Sequence, residues 1–156
     1  MNPTETLDKV RDIFTGFLEK RGLRKTPERY AILEEIYTRD GHFDVEALYD
    51  SMKENNYRVS RATVYNTLEL LEDCDLIVRH QFSNQISEYE RSFGAKQHDH
   101  LICTDCQKII EFCDPRIHTI QSKAGELLKF DIIHHSLILY GNCKDPKCKN
   151  RGNGKK

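Results

Sequence analysis

Hydrophobic positions in the first half of the chain recur every three or four residues, which predicts amphipathic helices. Gly22 ends the first helix, whose apolar stripe consists of Leu7, Val10, Phe14, Phe17 and Leu18. A second helix is predicted to begin with Thr26 as its N-cap and Pro27 at its first position. Asp44 is the predicted N-cap of a third helix. The first half of the chain is therefore expected to be mainly helical.

A fourth helix is predicted from Arg61 to about Glu72, with Ser60 as its N-cap. Its apolar residues point one way and consist of Val64, Leu68 and Leu71. Its opposite face is mostly polar and consists of Ala62, Tyr65, Asn66 and Glu69. A short polar turn at 55–59 separates this helix from the third. Two helices joined in this way, the second with a polar face, are typical of a helix-turn-helix.

Alternation replaces the helical pattern after the fourth helix. Leu76, Val78, His80 and Phe82 predict a strand, and a turn at Ser83-Asn84 leads into a returning strand from Ile86 to Glu90. A hairpin directly after a helix-turn-helix predicts a winged helix.

The second half is expected to mix strands and one helix. Strands are predicted at Leu101-Ile102 and 109–112, a helix from Pro115 to Lys129, and a strand from Ile132 to Tyr140. The predicted fold class is α+β: a winged-helix domain of residues 1–91, a hinge at 92–97, a small α/β domain of 98–148, and a flexible basic tail of 149–156.

Composition narrows the class of protein. Of the 156 residues, 38% are hydrophobic and 31% are charged, and no apolar run is long enough to cross a bilayer. The polar N-terminus lacks the apolar core of a signal peptide, so we expect a cytoplasmic protein. A net charge of −1 is not typical of a protein that coats nucleic acid without sequence specificity. Any DNA contact must therefore come from local basic clusters. Such clusters are Lys20, Arg21, Arg24, Lys25 and Arg29, and Arg58 with Arg61.

Four of the six cysteines are spaced as metal ligands. Cys103 and Cys106 form C-T-D-C, and Cys143 and Cys148 form C-K-D-P-K-C. Two such pairs can hold one tetrahedral zinc ion, and a closed four-sulfur site favours a structural role over catalysis. The alternative is a set of reduced buried thiols. Cys74 is interpreted as a core thiol, and an oxidisable role for Cys113 stays open.

A second group of possible ligands contains histidine and carboxylate. His98 and His100 share one face of a predicted strand, and Glu111 lies on the strand that follows the C-T-D-C turn. Glu90 and His42 come from the first half of the chain. Imidazole and carboxylate suit iron(II), manganese(II) or zinc(II), and ligands from both halves would make their arrangement depend on metal. The alternative is that the two histidines are simply exposed strand residues.

These motifs resemble those of the ferric uptake regulator family. The similarity is carried by H-D-H-L-I-C-T-D-C (98–106), I-I-E-F (109–112), H-S-L-I-L-Y-G-N-C (135–143) and S-R-A-T-V-Y-N-T-L (60–68). The resemblance implies a homodimer with an N-terminal winged-helix domain and a C-terminal dimerisation domain. It also implies metal-dependent binding to AT-rich, inverted-repeat operators of metal-uptake genes.

The resemblance assigns roles to residues by position. It implies a structural zinc site of Cys103, Cys106, Cys143 and Cys148. It implies a regulatory site, between the two domains, of His42, Glu90, His98, His100 and Glu111. A third, more variable site falls on Gln97, Asp99, His118 and His135, where Gln97 replaces a usual His and His118 a usual Glu.

DNA-binding residues are expected on the fourth helix and just before the second. Tyr65 can pack against thymine methyl groups, and Asn66 stands where many relatives have an arginine that recognises guanine; asparagine suits adenine. The other candidates are Arg61, Ala62, Thr63 and Arg24, the last at a position that relatives use in the minor groove. For Arg24 and Arg61 the alternative is a solvated surface charge.

The sequence therefore predicts a metal-dependent transcriptional repressor, most simply an iron-responsive one with Fe(II) as regulatory metal, for which Mn(II) or Zn(II) can substitute. A peroxide sensor or a zinc sensor of the same family is the alternative within the class. A zinc-dependent hydrolase or deaminase would need an open coordination position, and no H-E-x-x-H or H-x-E…P-C-x-x-C pattern is present. A metal-dependent interaction module that does not bind DNA is the third alternative.

Overall fold

The structure is a computed structural model that describes residues 2–81, 87–144 and 146–148. It divides into an N-terminal unit, Met1–Ala95, and a C-terminal unit, Lys96–Lys156. The N-terminal unit contains α1 (Pro3–Lys20), α2 (Pro27–Thr38), α3 (Val45–Glu54), α4 (Arg61–Asp73), β1 (Ile77–Gln81) and β2 (Ser87–Arg91). The C-terminal unit contains β3 (Asp99–Cys103), β4 (Ile109–Phe112), α5 (Pro115–Leu128) and β5 (Ile138–Gly141). Helices and small sheets give the predicted α+β class.

Side-chain caps set where the helices of the N-terminal unit begin. Asp44 accepts a hydrogen bond from the Ala47 amide at 2.7 Å, and Ser60 accepts one from the Thr63 amide at 3.1 Å. Both caps were predicted, because a side-chain oxygen satisfies an amide that the helix leaves unpaired. Thr26 differs: α2 begins at Pro27 as expected, but the Thr26 side chain makes no capping hydrogen bond to any described residue.

A continuous hydrophobic core holds the four helices together. Its fully buried side chains include Phe14, Leu18, Ile32, Leu33, Ile36, Leu48, Met52, Leu68 and Leu71. The buried Tyr37 hydroxyl donates to the Leu76 carbonyl at 2.6 Å, and burial raises the pKa of Tyr37. Cys74 packs against this core, as predicted, and burial raises the pKa of its thiol to about 11. The helices therefore form a well-packed body that presents α4 on its surface.

The two strands of the N-terminal unit form an antiparallel hairpin in which Val78 pairs with Glu90 and His80 with Glu88. A bridge between Phe43 and Tyr89 adds a third chain segment. The predicted alternation is wrong in part, since Ile77 is buried beside Leu76 while Val78 is 40% exposed. The predicted turn at Ser83-Asn84 and the positions of Phe82 and Ile86 lie outside the described residues.

The C-terminal unit is a three-stranded sheet with β3 in the centre. β3 pairs antiparallel with β4 and parallel with β5, and α5 is part of the crossover between those two outer strands. α5 ends one residue earlier than predicted, because Lys129 adopts the left-handed conformation at φ 59°. Gly125 is required there, since a Cβ atom would lie 2.8 Å from the Phe130 carbonyl oxygen.

The last strand is shorter than predicted. It was expected from Ile132 to Tyr140, but β5 spans only Ile138–Gly141. The preceding apolar residues are not in the sheet, and Ile133 is 89% exposed. Ile133 belongs to a group of exposed hydrophobic side chains that we call the exposed apolar set: Ile120, Leu127, Leu128, Phe130, Ile133, Leu139 and Tyr140. In the described part of the chain, helices of the length and apolarity that a bilayer crossing requires are absent.

Candidate metal and DNA-binding sites

In the N-terminal unit, two histidines contact one carboxylate. The bridge between Phe43 and Tyr89 places His42 next to Glu90 of β2, and their Nε2 and Oε2 atoms are 3.3 Å apart. His80 of β1 approaches the other carboxylate oxygen, with 2.6 Å between its Nε2 and Oε1 of Glu90. The three side chains are largely buried. We call His42, His80 and Glu90 the N-terminal cluster.

The N-terminal cluster contains a negative charge, on the Glu90 carboxylate. Burial alone would raise the pKa of Glu90, but hydrogen bonds from His42 and His80 outweigh it and hold that pKa well below its usual value. Glu90 is therefore an anionic carboxylate at neutral pH, the form that a divalent cation binds.

His80 was not among the predicted site residues. Its place follows from the hairpin register: His80 is opposite Glu88, so Glu90 is its diagonal neighbour across the strand pair. The alternation of His80 with apolar residues was visible in the sequence. The register was not, because it depends on the connection between β1 and β2.

In the C-terminal unit, the other three predicted regulatory ligands lie close together. β3 pairs with β4 so that His100 is opposite Glu111, and the His98 and His100 rings lie 4.9 Å apart. His98 Nε2 is 3.9 Å from Oε1 of Glu111. We call His98, His100 and Glu111 the C-terminal cluster.

The hydrogen bond of His98 indicates its tautomer. His98 Nδ1 lies 2.8 Å from the Lys96 carbonyl oxygen, and a carbonyl only accepts, so Nδ1 carries the proton. In the neutral ring this leaves the lone pair on Nε2, on the side of Glu111. A backbone carbonyl that fixes the ring in this way is a common feature of metal-binding histidines.

The predicted zinc cysteines gather at one end of the central strand. Cys103 ends β3, and its carbonyl accepts from the Gln107 amide at 2.8 Å, which closes the C-T-D-C turn. Cys103 pairs with Gly141 of β5, so Cys143 follows close by. The sulfur atoms of Cys103, Cys143 and Cys148 lie within 4.8 Å of one another. Around one zinc ion at a Zn–S distance of 2.3 Å, sulfurs would be about 3.8 Å apart.

Cys106 lies on the same turn and contacts Cys103, but its sulfur is not part of the group of three. Its backbone amide donates to the sulfur of Cys103 and, with smaller contributions from other donors including the Cys106 thiol, lowers the pKa of Cys103 to about 7. Asn142 ties the two cysteine pairs together by donating to Thr104 Oγ1 at 3.0 Å and to Asp105 Oδ1 at 3.1 Å. Three neighbouring sulfurs, with a fourth beside Cys103, fit a tetrahedral thiolate site. Cys113, the remaining cysteine of this unit, is exposed.

The third predicted group is brought together only in part. Asp99 Oδ1 and His135 Nε2 face each other at 3.1 Å, and both atoms are buried without a well-oriented hydrogen-bond partner among the described residues. Gln97 donates instead to the His135 backbone carbonyl at 2.8 Å. His118 is exposed on α5, where it borders a cleft of about 440 Å³ next to residues 129–132. Asp99 and His135 therefore form the centre of this group.

The exposed face of α4 is the one predicted for DNA. Val64, Leu68 and Leu71 are buried, while Tyr65 is 48% exposed and Asn66 is also exposed. The remaining candidates with a free surface are Ala62 on the same helix and Arg24 before α2, and both are exposed.

Two DNA candidates make contacts within the protein. Arg61 forms a bidentate ion pair with Glu46, with Nε–Oε1 at 3.0 Å and Nη2–Oε2 at 2.9 Å, and lies over the Tyr49 ring at 4.3 Å. The Thr63 hydroxyl lies 2.9 Å from that of Ser60. Arg61 thus links α4 to α3, and Thr63 links α4 to its own N-cap residue.

Known proteins match the chain over most of its length. The sequence model of the Ferric uptake regulator family matches residues 20–140. A peroxide-responsive repressor, PerR, from Staphylococcus epidermidis is 30% identical over 96% of the chain and 97% of its own length. The ferric uptake regulation protein of Vibrio anguillarum is 36% identical over 89% and 93%. The solved structure of the Helicobacter pylori ferric uptake regulator, described as having three functional metal binding sites, is 27% identical, superposes with a TM-score of 0.74, and covers 92% of this chain and 93% of that one.

Proposed function

Since the chain belongs to the ferric uptake regulator family, we propose that it is a metal-dependent DNA-binding transcriptional repressor whose regulatory metal is iron(II). The observation that carries this proposal is that each unit holds its own group of metal donors. His42 and Glu90 are in contact in the N-terminal unit, and His98, His100 and Glu111 gather in the C-terminal unit.

The proposed switch is one ion that takes donors from both groups. Such an ion would fix the orientation of α4 relative to the C-terminal unit, because its ligands belong to both. DNA binding and metal binding would then be linked, so that operator tightens metal binding by the factor by which metal tightens operator binding.

The donor chemistry favours iron(II) with manganese(II) or zinc(II) as substitutes. Imidazole and carboxylate suit these ions, and cysteine is not among the five proposed donors. Zinc is proposed separately for the thiolate site of Cys103, Cys106, Cys143 and Cys148, in a structural role. Asp99 and His135 are the proposed centre of a third site, with Gln97 and His118 as further candidate ligands. Their two buried atoms lack a hydrogen-bond partner among the described residues, which supports a cation there.

The proposed DNA contacts lie on α4. Tyr65 and Asn66 would reach base edges in the major groove, with Ala62 and Thr63 beside them, while Arg24 would contact the minor groove. An AT-rich inverted repeat is the expected operator, since a two-fold dimer places two copies of α4 on two half-sites. The exposed apolar set supports the homodimer, because apolar side chains of this size are seldom left in water in such number.

Peroxide sensing is the second candidate. Asn66 favours it, because the chain resembles the peroxide-sensing members of the family at this position. The match to a peroxide-responsive repressor extends over 96% of the chain. Glu90 and Glu111 favour the iron regulator, since peroxide sensors of this family usually carry aspartate at these positions. A zinc-sensing regulator has less support, because its sensory site would more often include a cysteine. The family consists of regulators, which leaves the hydrolase or deaminase alternative without support.

A DNA-binding titration tests the proposal. Purified dimer with zinc retained would be titrated onto an AT-rich inverted repeat, selected from a random library, with Fe(II), Mn(II), Zn(II) or EDTA. Tight binding that needs Fe(II) or Mn(II) is expected, and equal affinity in EDTA would contradict the proposal. Loss of binding after hydrogen peroxide in the Fe(II) sample, but not in the Mn(II) sample, would identify the peroxide sensor instead.

A further inference from the structure

We propose that His80 is a positioning residue for the regulatory metal: it holds the Glu90 carboxylate in the orientation that binds the ion, without being a ligand itself. This inference rests on the proposed function, because it takes Glu90 to be a ligand of the sensed metal.

The two oxygens of Glu90 have different neighbours. Oε1 lies 2.6 Å from His80 Nε2, and Oε2 lies 3.3 Å from His42 Nε2. The first contact is the shorter, and His80 belongs to the same hairpin as Glu90, so the pair is held by backbone hydrogen bonds between β1 and β2. His42 comes from a different segment of the chain, between α2 and α3. The hairpin thus fixes one oxygen and leaves the other directed at His42.

The proton between His80 and Glu90 decides the role of His80. An ionised carboxylate only accepts hydrogen bonds, so Nε2 of His80 must carry the proton. A nitrogen that donates this proton has no lone pair for a metal. His42 Nε2 also contacts Glu90, but at 3.3 Å, and it would give up this longer contact and its proton when it binds the ion, while the 2.6 Å contact of His80 is kept. His80 therefore acts from outside the coordination sphere, where a hydrogen bond orients a ligating carboxylate.

Because this hydrogen bond is buried, its loss should affect the orientation of Glu90 and hence metal binding. His80 is 8% exposed, and the Glu90 side chain is 14% exposed. In such surroundings water is a poor replacement for a lost donor, and an unheld carboxylate would sample orientations that do not bind the metal. Loss of an outer-sphere partner of this kind typically weakens metal binding by about 10- to 100-fold.

The test compares His80→Phe with His80→Gln in the full-length protein with zinc retained. Phenylalanine keeps the ring shape without a donor, and glutamine restores an N–H that can reach the carboxylate. Mn(II) affinity, measured from the EPR signal of the free ion, should fall about 10- to 100-fold in His80→Phe and recover in His80→Gln. Co(II) spectra at saturation should keep the wild-type band positions in both variants, because the ligand set is unchanged.

Controls separate this role from folding and from the proposed function. His134→Phe makes the same change at an exposed histidine and should leave Mn(II) affinity unchanged. Metal-free thermal unfolding checks that His80→Phe is folded. Unchanged Mn(II) affinity in His80→Phe, equal loss in the glutamine variant, or shifted Co(II) bands would each overturn the proposal. Failure of the proposed function would appear separately, as wild-type operator binding that ignores metal.

Discussion

The two units of this protein differ in how completely they bury their apolar side chains. In the N-terminal unit, large side chains from all four helices are fully buried in one core. Among the described residues of the C-terminal unit few are buried, and these include Asp99, His100, Ile102 and Cys103, while the exposed apolar set faces solvent. The first unit has the interior of an independent domain. The second exposes several large apolar side chains, as does a subunit that is completed by a partner.

The difference indicates what each unit needs in order to fold. Small domains with little core commonly depend on a metal or on association. The C-terminal unit has candidates for both, in the four cysteines of the proposed zinc site and in its exposed apolar set. We therefore expect the N-terminal unit to be stable by packing and the C-terminal unit to be stable by zinc and dimerisation.

Removal of zinc should have the largest effect. Structural zinc sites are worth on the order of 10 kcal/mol, more than a unit with so small a core can lose. Cys143→Ser, or chelation of the wild type, should unfold the C-terminal unit and leave the N-terminal helices folded. Hydrogen exchange followed by peptide mass spectrometry would measure this for each unit. Fast exchange in both units, or in neither, would break the proposed contrast.

A cavity in the N-terminal core should have the next largest effect. Leu48 is fully buried, and Leu48→Ala should lower the free energy of unfolding of that unit by about 2–5 kcal/mol. Leu127 in α5 is 81% exposed, so Leu127→Ala is the matched control and should change the stability of an isolated subunit little. Denaturant unfolding monitored separately in each unit would test both. A similar loss in the two variants would contradict the difference in packing.

A charge in the exposed apolar set should weaken the dimer. Ile133→Glu should raise the dimer dissociation constant about 30-fold or more, as expected for a central interface residue worth at least 2 kcal/mol. Ile13→Glu makes the same change at a partly exposed isoleucine of α1 and should leave the dimer intact. Sedimentation equilibrium would compare them. If only the Ile13 variant dissociates, the dimer surface has been assigned to the wrong unit.

The smallest effects concern α4. Tyr65→Ala should reduce operator affinity about 5- to 150-fold, since it removes a base contact worth about 1–3 kcal/mol. Arg61→Ala should reduce it less, because the guanidinium already pairs with Glu46 and stacks on Tyr49. Fluorescence anisotropy with metal-loaded protein would rank the two variants. The reverse order would mean that Arg61 leaves Glu46 for DNA.

Local signals in the sequence predicted much of this fold. Ser60 and Asp44 are caps because a single side chain suffices to satisfy a free helical amide, and no distant partner is needed. Likewise, the buried and exposed faces of α4 follow from its own periodicity. The predicted start of β5 at Ile132 was wrong. Ile132 and Ile133 are apolar, but they are not part of the sheet, so their apolar character does not come from packing in a strand.

The candidate sites divide in the same way. His98 and His100 are two residues apart, and the cysteine pairs are close in sequence, so their grouping was visible along the chain. His80 was missed because its contact with Glu90 depends on strand register across a hairpin. The sequence also did not show that His118 is separate from Asp99 and His135, since this depends on how α5 lies against the sheet.

The five residues of β3 leave that strand little freedom to change. Asp99 faces His135, His100 belongs to the C-terminal cluster, and Cys103 belongs to the cysteine group, so three proposed metal sites share one short segment. Because neighbouring strand residues point to opposite faces, inserting or deleting one residue here would exchange their directions. A descendant of this protein could acquire a new metal preference by replacing side chains, but not by altering the length of this strand.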